Sequence, residues 1–162
     1  MKKKLFRYLP LLLAFLILTG CQQDKVLSLR ADALSAYEKG DYAQAGMLFE
    51  EALMAGEGMV SEVQTDILRY MADCDVRTGQ FESAMDIYER LIELTGSETD
   101  KRLLLELTEA VTEAERINMF NEAVTLENEG KYKEALEAFI SYSEQYPGDV
   151  EALKEIEFLK TR

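Results

Sequence analysis

The sequence contains no histidine and no tryptophan, only two cysteines and two prolines, and 18 basic residues against 31 acidic ones. Each shortage excludes something. Without histidine there is no imidazole for acid–base work near neutral pH, no serine-based triad, and no His ligand for zinc, copper or haem. A formal net charge of −13 makes a poor nucleic-acid binder, because phosphates are neutralised by Lys and Arg. Two cysteines cannot build a disulfide framework. No glycine-rich phosphate loop is present. What remains is 162 residues with 48% hydrophobic content, which suits one ordinary globular domain and argues against wholesale disorder.

The N-terminus reads separately from the rest. Lys2, Lys3, Lys4 and Arg7 form a basic start, Leu9 to Leu18 is apolar apart from Pro10, and Leu18-Thr19-Gly20-Cys21 follows. This run resembles a bacterial lipoprotein signal peptide, and its last four residues resemble the lipobox of that family. The resemblance implies cleavage between Gly20 and Cys21. It also implies a diacylglycerol on the Cys21 thiol, with or without an N-acyl chain. The competing reading is an uncleaved membrane span. Leu5 to Leu18 is only 14 residues, whereas a span needs about 20. Cleavage would leave 162 − 20 = 142 residues and a formal charge of 14 − 31 = −17, since residues 1–20 hold four basic and no acidic side chains. Such a chain is held at a bilayer by acyl groups and not by attraction to anionic headgroups. Residues 21–25 are then the lipidated Cys and a short linker, and 26–162 is the domain.

Internal repeats follow. Gly40, Gly79 and Gly130 are each followed two residues on by an aromatic (Tyr42, Phe81, Tyr132). Ala45, Ala84 and Ala135 come five after, and Phe49, Tyr88 and Phe139 nine after. Ala33, Ala72 and Ala123 precede the glycines by seven. The Gly ends one helix in a left-handed conformation. The aromatic two residues on opens a second helix and packs back on the first. The alanines allow close approach, and the later aromatic plugs the neighbouring pair. These residues resemble the tetratricopeptide repeat. The resemblance implies an all-α, TPR-like α-solenoid of about three antiparallel helical hairpins with a C-terminal capping helix. Repeats are expected near 26–59, 61–96 and 116–149, an extra helix near 99–116, and a cap at 150–161. Leu29, Leu68 and Met119 replace the family's aromatic near the start of the first helix.

The spacing is irregular. Gly40 to Gly79 is 39 residues and Gly79 to Gly130 is 51, against about 34 in the family. The first excess falls near Gly56-Glu57-Gly58, with a capping box at Ser61-x-x-Gln64. The second falls in 100–129, which lacks Gly and Pro. There Leu103, Leu104, Leu107, Val111, Ala114, Ile117, Phe120 and Val124 recur at helical steps, as one long helix or as two broken near Asn118. After Pro147, Asp149 can cap a last helix with Leu153, Ile156 and Leu159 facing inward.

Catalytic constellations are lacking. Carboxylate pairs arise by chance among 31 acids, with no Trp or sheet to form a sugar cleft. Asp73-Cys74-Asp75 begins like a calcium loop, but Arg77 and Thr78 occupy ligand and glycine positions, so it fails as an EF-hand. Cys74 reads as a small buried hydrophobe. The chain is therefore expected to be non-catalytic, with no cofactor beyond the lipid and no metal.

TPR arrays bind protein segments on the face lined by first helices. The resemblance carries that role to Arg30, Leu34, Tyr37 and Glu38, to Arg69, Asp73, Val76 and Arg77, and to Phe120, Val124, Glu127 and Asn128. The three Arg residues hint at an acidic or C-terminal peptide, unless they pair with neighbouring acids. The two-carboxylate clamp of chaperone-binding members does not carry over, because Leu34 and Tyr70 replace its polar residues. The expected function is a membrane-anchored protein–protein interaction module, an adaptor or accessory subunit of an envelope complex. The alternatives are an envelope-protein assembly factor resembling the TPR lipoprotein of outer-membrane β-barrel assembly, and a self-associating structural lipoprotein. Gln22 in place of Asp after the Cys favours the outer membrane of a two-membrane host. In a single-membrane host the chain would sit on the outer face of the cytoplasmic membrane.

Overall fold

A computed structural model describes the backbone of residues 9–56 and 62–162 and the side chains of 22–56 and 62–162. The basic start, Glu57-Gly58 and Ser61 lie outside the described residues, as do the side chains of the lipobox. The helices are α1 (Leu9–Glu38), α2 (Tyr42–Ala55), α3 (Glu62–Thr78), α4 (Phe81–Thr95), α5 (Glu98–Asn128), α6 (Tyr132–Gln145) and α7 (Val150–Leu159). No strand occurs among the described residues, and none of their helices is long and apolar enough to cross a membrane. The architecture is all-α and TPR-like. It divides into two compact units, unit 1 ending at Leu104 and unit 2 spanning Leu105–Arg162.

Unit 1 consists of two consecutive hairpins and the start of α5. Gly40 and Gly79 end α1 and α3 at φ of 78° and 79°, a region that costs other residues free energy. Asp41 caps α2 by accepting the Gln44 amide at 3.2 Å. The repeat alanines Ala33, Ala45, Ala72 and Ala84 are fully buried, so the helices approach closely at those levels. Phe49 and Ile67 are also sealed from water, and Val26, Ala52 and Cys74 complete the first core. Cys74 is 1% exposed. Burial first, then the neighbouring Asp73 and Asp75 charges, push its thiol up to about 11, so the reactive thiolate is scarce at neutral pH.

Unit 2 repeats the scheme on a smaller scale. Gly130 turns the chain at φ 76°. Ala123, Ala135, Phe139, Tyr142, Ala152, Ile156 and Leu159 form its core, with Met119, Phe120 and Val124 packed against them. Phe120 meets Phe139 and Tyr142 edge to face, each at 5.4 Å between ring centroids, an arrangement that adds to burial. Asp149 caps α7 through the amides of Glu151 (3.0 Å) and Ala152 (3.3 Å).

Three expectations need correction, and one alternative is decided. The linker at 21–25 is helical, because α1 runs on through it. No Gly or Pro interrupts the chain between Gly20 and Gly40, and Val26 is already in the core. Of the two alternatives for the run after Asp100, one long helix is the one found: α5 is continuous from Glu98 to Asn128, since Asn118 alone does not stop a helix. Leu153 faces water at 47% exposure, and Ala152 takes the inward position. Phe81 and Tyr132 are about 40% exposed, so of the three helix-opening aromatics Tyr42 alone is half-buried, 5.3 Å from Tyr37.

Candidate functional site

The candidate residues fall into two sets, one in each unit. In unit 1, α1 supplies Arg30, Leu34 and Tyr37, spaced by three and four residues, and α3 supplies Arg69, Asp73 and Arg77 at steps of four. The side chains on each helix therefore share a face. Arg30 and Tyr37 each meet a polar partner from α3. Arg30 donates from Nε to Asp66 Oδ2 at 2.8 Å, and its terminal nitrogen pairs with the same oxygen. The Tyr37 hydroxyl donates to Asp73 Oδ2. Leu34 is half-buried against the core.

Arg77 and its neighbours form the densest polar group. Arg77 Nε donates to Asp73 Oδ2 at 2.5 Å, and Nη1 donates to the Tyr42 hydroxyl at 3.3 Å. The guanidinium carbon lies 4.8 Å from the Tyr42 ring centroid and 5.8 Å from that of Tyr37, within the range of cation–π attraction. Tyr37 also meets Tyr70 edge to face at 5.2 Å, and Tyr70 stacks on Phe49 at 5.5 Å. An aromatic chain thus links this surface to the core. The hydrogen bond to Asp73 pushes the Tyr37 phenol up to about 12, with burial second. The bond to Asp73 also raises the already high pKa of Arg77, so the guanidinium stays charged throughout the neutral range.

Arg69 points elsewhere. It holds Asp100 at the start of α5 with two parallel bonds, Nε to Oδ1 at 3.1 Å and Nη2 to Oδ2 at 2.9 Å. The Asp100 side chain is fully buried while Arg69 is 44% exposed. Ser97 Oγ accepts the Asp100 amide at 3.2 Å, a local cap that the Ser97-x-x-Asp100 spacing could have revealed. The long-range pair could not be read from the sequence. Arg69 lowers the Asp100 carboxyl below its usual range, working against burial.

Asp100→Asn is expected to destabilise unit 1 by about 2 kcal/mol, less than for a fully buried pair because water reaches Arg69. The folded carboxyl titrates lower than the unfolded one. Its contribution is therefore full above the ordinary value of 3.8 and is lost as pH falls through the lower folded value. Urea melts should show a gap between wild type and variant at pH 7 that narrows below about pH 4. A gap that does not change with pH would remove the ion pair as its cause.

In unit 2, Phe120 and Val124 are half-buried against the core and Asn128 is exposed. A feature absent from the sequence reading lies beside Phe120. Arg116 makes two 2.8 Å bonds to Glu113, one of 2.9 Å to the Tyr142 hydroxyl and one of 3.3 Å to Asp149 Oδ2. The Tyr142 hydroxyl donates to the same Asp149 oxygen at 2.6 Å. The helix-cap carboxylate thus also ties α6 to α7, and the Tyr142 bond is the main cause of its lowered pKa. No group of three or more Cys, Asp or Glu side chains able to hold a metal occurs among the described residues.

The tetratricopeptide repeat family's sequence pattern matches residues 36–104. The match takes in α2, α3, α4 and the ends of the helices that flank them. No curated protein matches the chain in sequence. Among solved structures, the second TPR domain of human RPAP3, in complex with an HSP70 peptide, is 16% identical with a TM-score of 0.41, covering 87% of this chain and 99% of that one. The first TPR of Spaghetti (RPAP3), bound to an HSP90 peptide, is 16% identical with a TM-score of 0.41, covering 85% and 92%. MamA from AMB-1 is 21% identical with a TM-score of 0.38, covering 85% and 81%. The repeat over residues 36–104 is the fold of a protein–protein interaction module.

Proposed function

We propose that this chain is a lipid-anchored adaptor or accessory subunit of a bacterial envelope complex. In this reading it works without catalysis, and it takes a segment of a partner protein on the α1–α3 face of unit 1. The observation that carries the reading is the ledge of Tyr37, Tyr42, Asp73 and Arg77, which is part-exposed and tied to the core by stacked rings. A ledge already ordered loses little side-chain entropy when a partner binds. Arg30, Arg69 and Arg77 are each engaged with a carboxylate of the same unit. The face is therefore a mixed polar and aromatic surface and not a cluster of unpaired cations, and an acidic peptide would have to compete with Asp66, Asp73 and Asp100. Acylation at Cys21 would place this surface beside a membrane and raise the partner's local concentration there.

Cross-linking in cells followed by capture from membranes tests the reading. Wild type would be compared with Arg77→Glu and with Lys133→Glu, a change at a solvent-exposed position of α6. A discrete partner lost in Arg77→Glu and kept in Lys133→Glu is the expected result. A partner kept in both variants would move the binding surface away from α1 and α3.

A further inference from the structure

A cavity of about 300 Å³ lies between α2, α3 and the start of α4. None of its lining residues comes from α1, so it is distinct from the ledge except for shared Tyr42. Its apolar wall is Tyr42, Met47 and Met71, and its polar wall is Glu50, Asp75 and Ser83. Met47 is 59% exposed, an adaptable thioether side chain facing water. Asp75 is only 7% exposed. Its Oδ2 accepts the Ser83 hydroxyl at 2.6 Å, yet neither Asp75 nor Glu50 forms a salt bridge among the described residues. Arg77, which stacks on Tyr42, does not supply the missing cation, because its charge is matched by Asp73.

A buried carboxylate answered by one hydroxyl and no cation remains poorly compensated. Glu50 and the apolar side chains of Tyr42, Met47 and Met71 line the same cavity. The chain as a whole carries a charge of −13, which draws cations toward it. We infer that this cavity seats one Lys or Arg side chain of a partner protein. The aliphatic stem lies on Met47, Met71 and Tyr42, and the charged head lies between Glu50 and Asp75. Long cationic side chains bury their stems while keeping the head in a polar setting, and a head held by carboxylates makes charge-assisted hydrogen bonds. This goes beyond the proposed function by naming a second contact and its chemistry. It rests on that reading only in taking the partner to be a protein.

The test uses the full chain in detergent micelles with ¹³C-methyl methionine, since Met47 and Met71 report on the cavity and Met119 lies in unit 2. The probes are N-acetyl-Gly-Lys-Gly-amide, the same tripeptide with norleucine in place of lysine, and putrescine. The lysine peptide is expected to shift Met47 and Met71 saturably with a Kd in roughly the millimolar range, leaving Met119 still. The norleucine peptide should bind at least about tenfold more weakly, having lost the charge-assisted bonds. Glu50→Gln, at an exposed position with little bearing on folding, should weaken the lysine peptide by about threefold or more with an unchanged thermal melt, and adding Asp75→Asn by about tenfold. Equal binding of the norleucine peptide, no saturable shift, or tighter seating of putrescine than of the lysine peptide would overturn the inference. None of these outcomes depends on the capture experiment, so the two readings fail separately.

Discussion

Phe139→Ala is expected to unfold unit 2 while leaving α1 to α4 protected. Phe139 is fully buried and packs against Phe120. Truncating a buried Phe costs about 3–5 kcal/mol, the transfer of the ring plus the cavity it leaves. Unit 2 has 162 − 104 = 58 residues, and a core at that size rarely supplies more than about 3–5 kcal/mol in all. The substitution therefore removes as much stability as the unit is expected to hold. Amide hydrogen exchange measures this segment by segment. Protection in α6 and α7 should fall by about two to three orders of magnitude or vanish, with α2 to α4 unchanged. The mirror experiment, Phe49→Ala, should strip protection from α1 to α3 and spare α6 and α7. Equal loss across all helices in either variant would mean that the two units fold as one.

Cys21→Ser is expected to have an all-or-none effect. The wild-type chain should take up an alkyne-labelled fatty acid and appear at the mass of residues 21–162 plus its lipid. The serine variant should take up no label and remain at 162 residues. Two acyl chains hold at about 0.8 kcal/mol per buried methylene, so loss of the label removes the anchor itself. The readout has to be mass and label and not fractionation alone, because an uncleaved chain keeps its apolar start and can still pellet with membranes. Cys74→Ser serves as the control. Cys74 is buried with a raised thiol pKa, so it should lose no label. Label that persists in Cys21→Ser, or disappears in Cys74→Ser, would end the lipoprotein proposal. The anchor would sit close to the fold, because Gln22 Nε2 already donates to the Ala55 carbonyl at 2.8 Å.

Much of the fold was legible because its signals are local. A glycine at positive φ, an alanine five residues on and an aromatic nine on are spacings along one chain, and helical geometry turns each into a position on a face. Hence Gly40, Gly79 and Gly130 mark three turns, and Ala45, Ala84 and Ala135 are buried in three hairpins. The α7 cap was legible for the same reason, since Asp149 satisfies amides two and three residues away. Periodicity was less decisive for α7, where the inward face could begin at Ala152 or Leu153 and packing on α6 selected Ala152.

The candidate site was legible only as a set of helix positions. The sequence placed Arg30, Arg69 and Arg77 on first-helix faces, and an arginine's partner lies a side-chain length away in space, not in sequence. Tertiary structure decided that Arg30 meets Asp66, that Arg69 turns to a buried Asp100 and that Arg77 stands on two tyrosines. It also decided that Arg116, Tyr142 and Asp149 share one network, and that Asp75 is buried beside a cavity with no salt bridge among the described residues. By itself the sequence determined the three glycine turns, the packing alanines that follow them and the residue types it lacks, because those depend on local geometry and composition. Which charges neutralise one another and which remain uncompensated was decided by the packing of helices, because electrostatic pairing acts across distances that the order of residues does not encode.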